Sequence, residues 1–206
     1  MFKRKCKIIF IRHGSTIYNE QGRLFDLEDY PPITQKGKDE IELLSKWLVN
    51  TTPHVDRIYS SSALRAIQSA RILSKAYDLD YEVIDGMYER KSGLWGGLTF
   101  EQIEEKYPDM LKQYHENPYE YWPEGGEPTQ ALRERVDKIV GEMVAINEYK
   151  TVLVVTHEDV IQSVIAAVLG VPPEHQGKIL IPTGSASLVN FYSSWATLGY
   201  CAHVPQ

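Results

Sequence analysis

Two uninterrupted apolar runs, Ile8-Ile9-Phe10-Ile11 and Val152-Leu153-Val154-Val155, lack the alternation of a half-exposed strand and predict strands buried on both faces. Helical spacing fills the intervals around them. Thr34 is placed to cap a helix with Ile41, Leu44 and Leu48 on one face, ending near Asn50. Ser60-Ser61-Ser62 offers caps for a second helix, with Ala66, Ala70, Leu73 and Tyr77 on one side and Arg65 in its first turn. Leu132, Val136, Ile139 and Met143 share a register in a helix over 129–146, and Val160 to Leu169 forms another, closed by Gly170 and Pro172-Pro173. Asp56 to Tyr59 and Tyr81 to Ile84 are short strand candidates. Strand and helix thus alternate three times, which predicts an α/β fold: a three-layer sandwich with a mainly parallel central sheet flanked by helices.

The segment from Phe100 to Pro128 breaks this rhythm. It carries Tyr107, Tyr114, Tyr119, Tyr121 and Trp122 among acidic residues and prolines, and reads as irregular helix and loop, a cap laid over a site. Its aromatics can meet a ring-bearing substrate or simply pack the cap against the sheet. No repeat, low-complexity tract or linker divides residues 1–206, a length suited to one domain with a substantial core.

Composition narrows the partners. A hydrophobic share of 43%, a charged share of 24% and a net charge of -6 are those of an ordinary globular chain, and basic residues cluster only at Lys3-Arg4-Lys5, so no nucleic-acid partner is expected. The apolar stretch after this basic start is too short for a signal peptide core, and no window approaches the length of a membrane helix. A cytoplasmic protein without a membrane partner is the simplest expectation. Cys6 and Cys201 are isolated thiols, read as packing residues rather than a disulfide or zinc pair.

The candidate chemistry lies where the apolar runs stop. Arg12-His13-Gly14 follows the first and His157 the second. In parallel sheets ligands bind beyond the carboxyl ends of strands, so two imidazoles at two such ends meet if the strands are neighbours. With Arg12 and Arg65 at similar junctions, three cationic or potentially cationic positions converge on one sheet edge, and phosphate is the natural guest for guanidinium forks and helix N-termini. An imidazole held through one nitrogen offers the other as a nucleophile, and Glu89, after the turn Asp85-Gly86, can supply a proton to a leaving oxygen.

Three rival patterns fail on context. Cys6 and Arg12 have the C-x5-R spacing of cysteine-dependent phosphatases, but Lys, Ile, Ile, Phe and Ile between them make a strand and not a phosphate loop. His157-Glu158-Asp159-Val160-Ile161 starts like a zinc protease helix but has Ile161 in place of the second histidine. Asp78-Leu79-Asp80 follows a helix, not the apolar strand an aspartyl-phosphate enzyme would place before it.

Over nearly its full length the chain resembles the histidine phosphatase superfamily, the phosphoglycerate mutase-like proteins. Arg12-His13-Gly14-Ser15-Thr16-Ile17-Tyr18-Asn19 is similar to the R-H-G-x-[ST]-x-x-N signature, Pro32-Ile33-Thr34-Gln35-Lys36-Gly37 to the P-L-T-x-x-G block, and Ser60 through Ala70 to S-S-x-L-x-R-A-x-Q-T-A. Glu89 through Gly97 resembles E-x-x-x-G-x-W-E-G, and Gly125-Gly126-Glu127 and Thr156-His157 complete the order. The resemblance implies that His13 attacks phosphorus, that Arg12, Arg65 and His157 bind the phosphoryl oxygens, that Asn19 helps shape the pocket, and that Glu89 is acid and then base, with no cofactor and no metal. Ser15, Ala63, Gly96, Pro128 and Glu158 depart from the family's usual residues.

The expected activity is a metal-independent phosphomonoesterase of the histidine acid phosphatase type, acting on a small phosphorylated metabolite through a phosphohistidine. The alternatives are a phosphoglycerate mutase, for which Arg90 is the one residue resembling a carboxylate grip, and a catalytically idle member that binds a phosphorylated ligand. A monomer or a homodimer is compatible with the sequence.

Overall fold

The two apolar runs become neighbouring strands. In the computed structural model, which describes residues 3–26 and 31–206, β1 (Cys6–Arg12) and β4 (Thr151–Thr156) pair in parallel from Lys7 opposite Thr151 to Arg12 opposite Thr156. β2 (Arg57–Ser61) lies in parallel on the other side of β4, and β3 (Tyr81–Ile84) beyond it. β5 (Ala186–Phe191) runs antiparallel to β1, and β6 (Ala196–His203) antiparallel to β5. The order across the six-stranded sheet is β3-β2-β4-β1-β5-β6, so its four parallel strands all end at the same edge.

Strand periodicity divides the core into two layers. Ile8, Phe10, Val152 and Val154 face one way, against Leu132, Val136 and Met143 of α6 (Thr129–Ile146) and Val160, Ile161 and Ile165 of α7 (Glu158–Leu169). Ile9, Ile11, Leu153 and Val155 face the other, against Ile41, Leu44 and Leu48 of α2 (Gln35–Thr51) and Ala66, Ala70 and Leu73 of α3 (Leu64–Tyr77). These strand residues are fully buried, which is why their runs are continuous and not alternating. A third, smaller cluster, Trp95, Ile103 and Leu111, is covered by Tyr107, Tyr114 and Trp122, so the segment from Phe100 to Pro128 consists of α4 (Phe100–Lys106), α5 (Pro108–Glu116) and a loop around an aromatic nucleus.

One of the two expected helix caps forms. Thr34 caps α2, its Oγ1 accepting from the Gly37 N–H at 3.2 Å. The serine run does not cap α3: pairing with β3 and β4 keeps Ser60 and Ser61 extended, and the N-cap falls on Ala63, which has no capping side chain. Ile139 is only partly buried, and Val140 takes the inward position beside it. α7 begins at Glu158, two residues earlier than the apolar pattern marks, with His157 as its N-cap. Of the two thiols, Cys6 is buried as a packing residue while Cys201 is exposed. Among the described residues no helix is long and apolar enough to cross a membrane.

The loop after β1 is held close to the start of α2 by two glycines. A Cβ on Gly14 would collide with the Gly37 backbone, and one on Gly37 with the Ser15 backbone. Ser15, also buried, donates its N–H and Oγ to the Glu40 carboxylate of α2 at 2.9 and 2.8 Å. The loop that follows β1 is thereby fixed against the helix layer.

Candidate active site

The β1–β4 register places His13 and His157 side by side. The His13 N–H donates to the Thr156 carbonyl at 3.1 Å, and the two rings have centroids 5.2 Å apart. His13 Nδ1 lies 2.9 Å from the Gly14 carbonyl oxygen. A carbonyl only accepts, so Nδ1 carries the proton and Nε2 keeps its lone pair. Arg65, in the first turn of α3, donates its Nε to that Nε2 at 3.2 Å and lays its guanidinium 3.9 Å over the Phe25 ring, whose edge geometry also covers His13. His157 Nε2 is 2.8 Å from Ser61 Oγ at the end of β2, and its Nδ1 is buried without a hydrogen-bond partner.

Both histidines are fully buried. Desolvation first, then the Arg65 and Arg12 guanidiniums, hold the His13 ring well below its ordinary pKa, and the same forces act on His157. Both imidazoles are therefore neutral at pH 7, and the positive charge of the site resides on the arginines. The sequence marks the histidines as potential cations; burial next to two guanidiniums is what removes that charge. A neutral imidazole with a directed lone pair among guanidiniums is equipped to attack an electrophile that bears negative charge.

Arg12 donates through Nη1 to the Ile181 carbonyl at 2.5 Å and pairs with Glu158 Oε2 at 2.7 Å, leaving its buried Nε without a partner. Glu89 accepts the first N–H groups of α7, from Glu158 at 3.1 Å and Asp159 at 3.2 Å, and the Arg90 N–H at 3.0 Å. Burial nevertheless dominates and, with repulsion from Asp159, pushes the Glu89 carboxyl up to about 7, against the opposing pull of Arg65 and Arg12. An acid that titrates near 7 can give and take a proton at neutral pH. The loop before Glu89 is clamped by Arg135, which grips the Glu127 carboxylate with Nε at 2.8 Å and Nη2 at 2.6 Å while Nη1 donates to the Tyr88 carbonyl at 3.1 Å and to the Gly86 carbonyl.

The structure thus brings His13, His157, Arg12, Arg65 and Glu89 to one sheet edge. Asn19 and Arg90 stand at the margin, lining a cavity of about 140 Å³ with Arg12, Glu89 and Glu158. Asn19 Oδ1 accepts from the Thr16 N–H at 3.0 Å and Thr16 Oγ1 at 2.9 Å, shaping α1 (Ile17–Glu20) in the loop after His13. Two of the Arg90 donors are directed at the protein, Nε to the Glu127 carbonyl at 2.7 Å and Nη2 to Thr129 Oγ1 at 2.8 Å, with the guanidinium 3.5 Å over Trp122. Asp159, Ser61, Phe25 and the Arg135–Glu127 clamp are not marked by the sequence as parts of the site. Asp159 has a signal, its position two residues after a strand-end histidine, and Ser61 and Glu127 lie in motif blocks of the family resemblance; Phe25 and Arg135 are set by contacts distant in the chain.

Known proteins resemble this chain along most of its length. The profile of the histidine phosphatase superfamily (branch 1) matches residues 8–200. The chain belongs to that superfamily. It is 32% identical to phosphoserine phosphatase 1 of Hydrogenobacter thermophilus over 165 residues, 80% of this chain and 77% of that protein. It is 26% identical to the adenosylcobalamin/alpha-ribazole phosphatase of Escherichia coli, over 93% of both chains. Among solved structures, Bacillus stearothermophilus YhfR superposes with a TM-score of 0.88 at 25% identity, covering 97% of this histidine phosphatase and 98% of the other chain.

Proposed function

We propose that this histidine phosphatase hydrolyses a phosphomonoester of a small metabolite in two steps through phospho-His13, as a metal-independent enzyme of the acid phosphatase type. The observation that carries the reading is the tautomer: Nδ1–H is held by the Gly14 carbonyl, so the Nε2 lone pair meets the donors of Arg65. As phosphate enters, Arg65 transfers its donors from Nε2 to the phosphoryl oxygens, joined by the unpartnered Arg12 Nε and by His157 Nδ1. His13 Nε2 bonds to phosphorus while the P–O bond to the leaving alcohol breaks, and Glu89 delivers its proton to that oxygen. Glu89, now a carboxylate, takes a proton from water, whose oxygen attacks phosphorus and releases His13 and inorganic phosphate. The guanidiniums stabilise charge spread over the equatorial oxygens, the task a metal performs in other phosphoryl-transfer sites.

Hydrolysis is favoured over mutase chemistry by the relatives named as phosphatases; Arg90, anchored by Nε to the Glu127 carbonyl and by Nη2 to Thr129 Oγ1, still lines the cavity and is the residue a substrate carboxylate would meet. An idle binder is disfavoured by a complete nucleophile, acid and guanidinium set. The relatives named for phosphoserine and alpha-ribazole phosphatase activity support a small phosphorylated metabolite as substrate. Two free thiols fit a reducing cytoplasm. The residues of 100–128 act on this reading as a cap, with Tyr114 and Trp122 facing the leaving group.

The test is rapid-quench labelling with a radioactive phosphomonoester. An acid-labile phosphohistidine that is absent in His13→Ala, and p-nitrophenyl phosphate turnover that survives EDTA, are expected. Turnover without the adduct, or full loss to EDTA restored by magnesium, overturns the scheme.

A further inference from the structure

The phosphoryl pocket adjoins a second cavity of about 370 Å³, walled by Trp122, Tyr114, Phe100 and Pro118. Both cavities are lined by Glu158 and Asp159, and the smaller one also by Glu89, the residue assigned to protonate the leaving oxygen. Glu158 has its carboxylate 2.7 Å from Arg12 Nη1, with about a third of its side chain exposed. Its other oxygen meets Gln162 Nε2 at 3.5 Å, and the Ile181 backbone also hydrogen-bonds the carboxylate.

This arrangement has an electrostatic consequence. While the pocket is empty, Glu158 neutralises Arg12. Once a phosphate dianion draws on Arg12, one guanidinium serves two anions, and the partly buried Glu158 carboxylate loses much of its compensation. Arg12 is the cation paired with Glu158 among the described residues: Arg90 is anchored on the Glu127 carbonyl, Thr129 and the Trp122 face with Asp159 as its leading charge partner, Arg23, also at the smaller cavity, donates Nη1 to the Gly97 carbonyl, and Lys178 of the larger cavity is exposed. A substrate that brings its own positive charge restores the balance, and one that brings a second negative charge worsens it.

Resting on the phosphomonoesterase reading, we propose that Glu158, with Asp159 beside it, is the specificity-determining residue of this site and selects phosphomonoesters whose leaving alcohol carries an ammonium group. The cation takes the Glu158 oxygen turned away from Arg12, while the aromatic wall accepts the carbon skeleton and offers π-faces to the charge. Esters that carry a carboxylate or a second phosphate on the leaving group are rejected by the same residue.

Calorimetric affinities for O-phosphoethanolamine, ethyl phosphate and phosphoglycolate test this, because the three share a two-carbon skeleton and differ in leaving-group charge. His13→Ala is the host, so that nothing turns over. The expected order of affinity is cation, neutral, anion, with about tenfold or more between the first and last. Adding Glu158→Gln compresses the spread by about that factor, and adding Asp159→Asn compresses it less. Equal affinities, a preference for phosphoglycolate, or a spread unchanged by Glu158→Gln overturns the proposal. If the Glu158 variant does not fold, the order in the host and its response to Asp159→Asn decide. Absence of hydrolysis by the unsubstituted protein counts against the proposed reaction alone, since these affinities are read without turnover.

Discussion

Arg65 Nε donates to His13 Nε2 at 3.2 Å, so the guanidinium rests on the very lone pair that must reach phosphorus. The contact orients the imidazole and adds to burial, the larger cause, in keeping the ring unprotonated, because a donor facing Nε2 and a positive charge beside it both oppose the imidazolium.

Arg65→Ala removes the orienting donor and one of the phosphoryl clamps together. Steady-state kinetics with p-nitrophenyl phosphate should show kcat/KM lower by about 10²–10³-fold. Arg65→Lys keeps the charge but not the fork and should recover only a minor part of this. Full recovery by lysine would mean that charge alone is used.

Glu89→Gln should lower kcat/KM for alkyl phosphates by about 10²–10⁴-fold and for p-nitrophenyl phosphate much less, because the nitrophenolate leaves without protonation. Equal losses would rule out the acid role. The same residue leaves a mark on stability. Its carboxyl titrates at about 7 in the folded chain against an ordinary 4.5, so between these values the unfolded chain binds fewer protons and stability falls as pH rises. The melting temperature of Glu89→Gln relative to the parent should therefore climb from pH 4.5 to pH 7 and level off above it.

Asp159→Asn should move the basic limb of the alkyl phosphate pH profile to lower pH. Its repulsion is the second cause, after burial, of the raised Glu89 carboxyl. At pH 8 the variant should lose about threefold to tenfold in kcat/KM on alkyl phosphates, with the loss shrinking at pH 6. A profile that does not shift would assign the elevation of Glu89 to burial alone.

Gly37→Ala forces the start of α2 away from the loop that carries His13, since the added methyl meets the Ser15 backbone and not a side chain that can swing aside. Overpacking of this kind costs about 1–3 kcal/mol. Thermal denaturation should register a drop of about 3–10 °C, accompanied by a fall in kcat that a surface change such as Lys38→Ala does not produce.

The parts of this fold that are legible in the chain are those where one residue type repeats under one physical demand. β1 and β4 are buried on both sides and so are apolar along most of their length, and α2 and α6 each bury one face and so show helical spacing. His13, His157, Arg12, Arg65 and Glu89 are legible because motif order ties each to a strand end. β5 and β6 carry no such mark: the first mixes Leu188 and Val189 with Ser187 and Asn190, and the second is an edge strand with partly exposed residues. The serine caps do not form because a strand end and a helix start compete for the same residues, and pairing on both sides of β2 decides the contest. The partner of Glu158 and the engagement of Arg90 depend on side chains that meet only in the folded chain.

Glu89 grips the opening amides of α7, and the residue just before that helix is His157. Proton donor and second histidine are thus mounted on a common bracket, and a shift in the seating of α7 relocates both by the same amount. Substitution at the Arg135 clamp does not separate the two either, because its guanidinium charge also reaches the His157 ring.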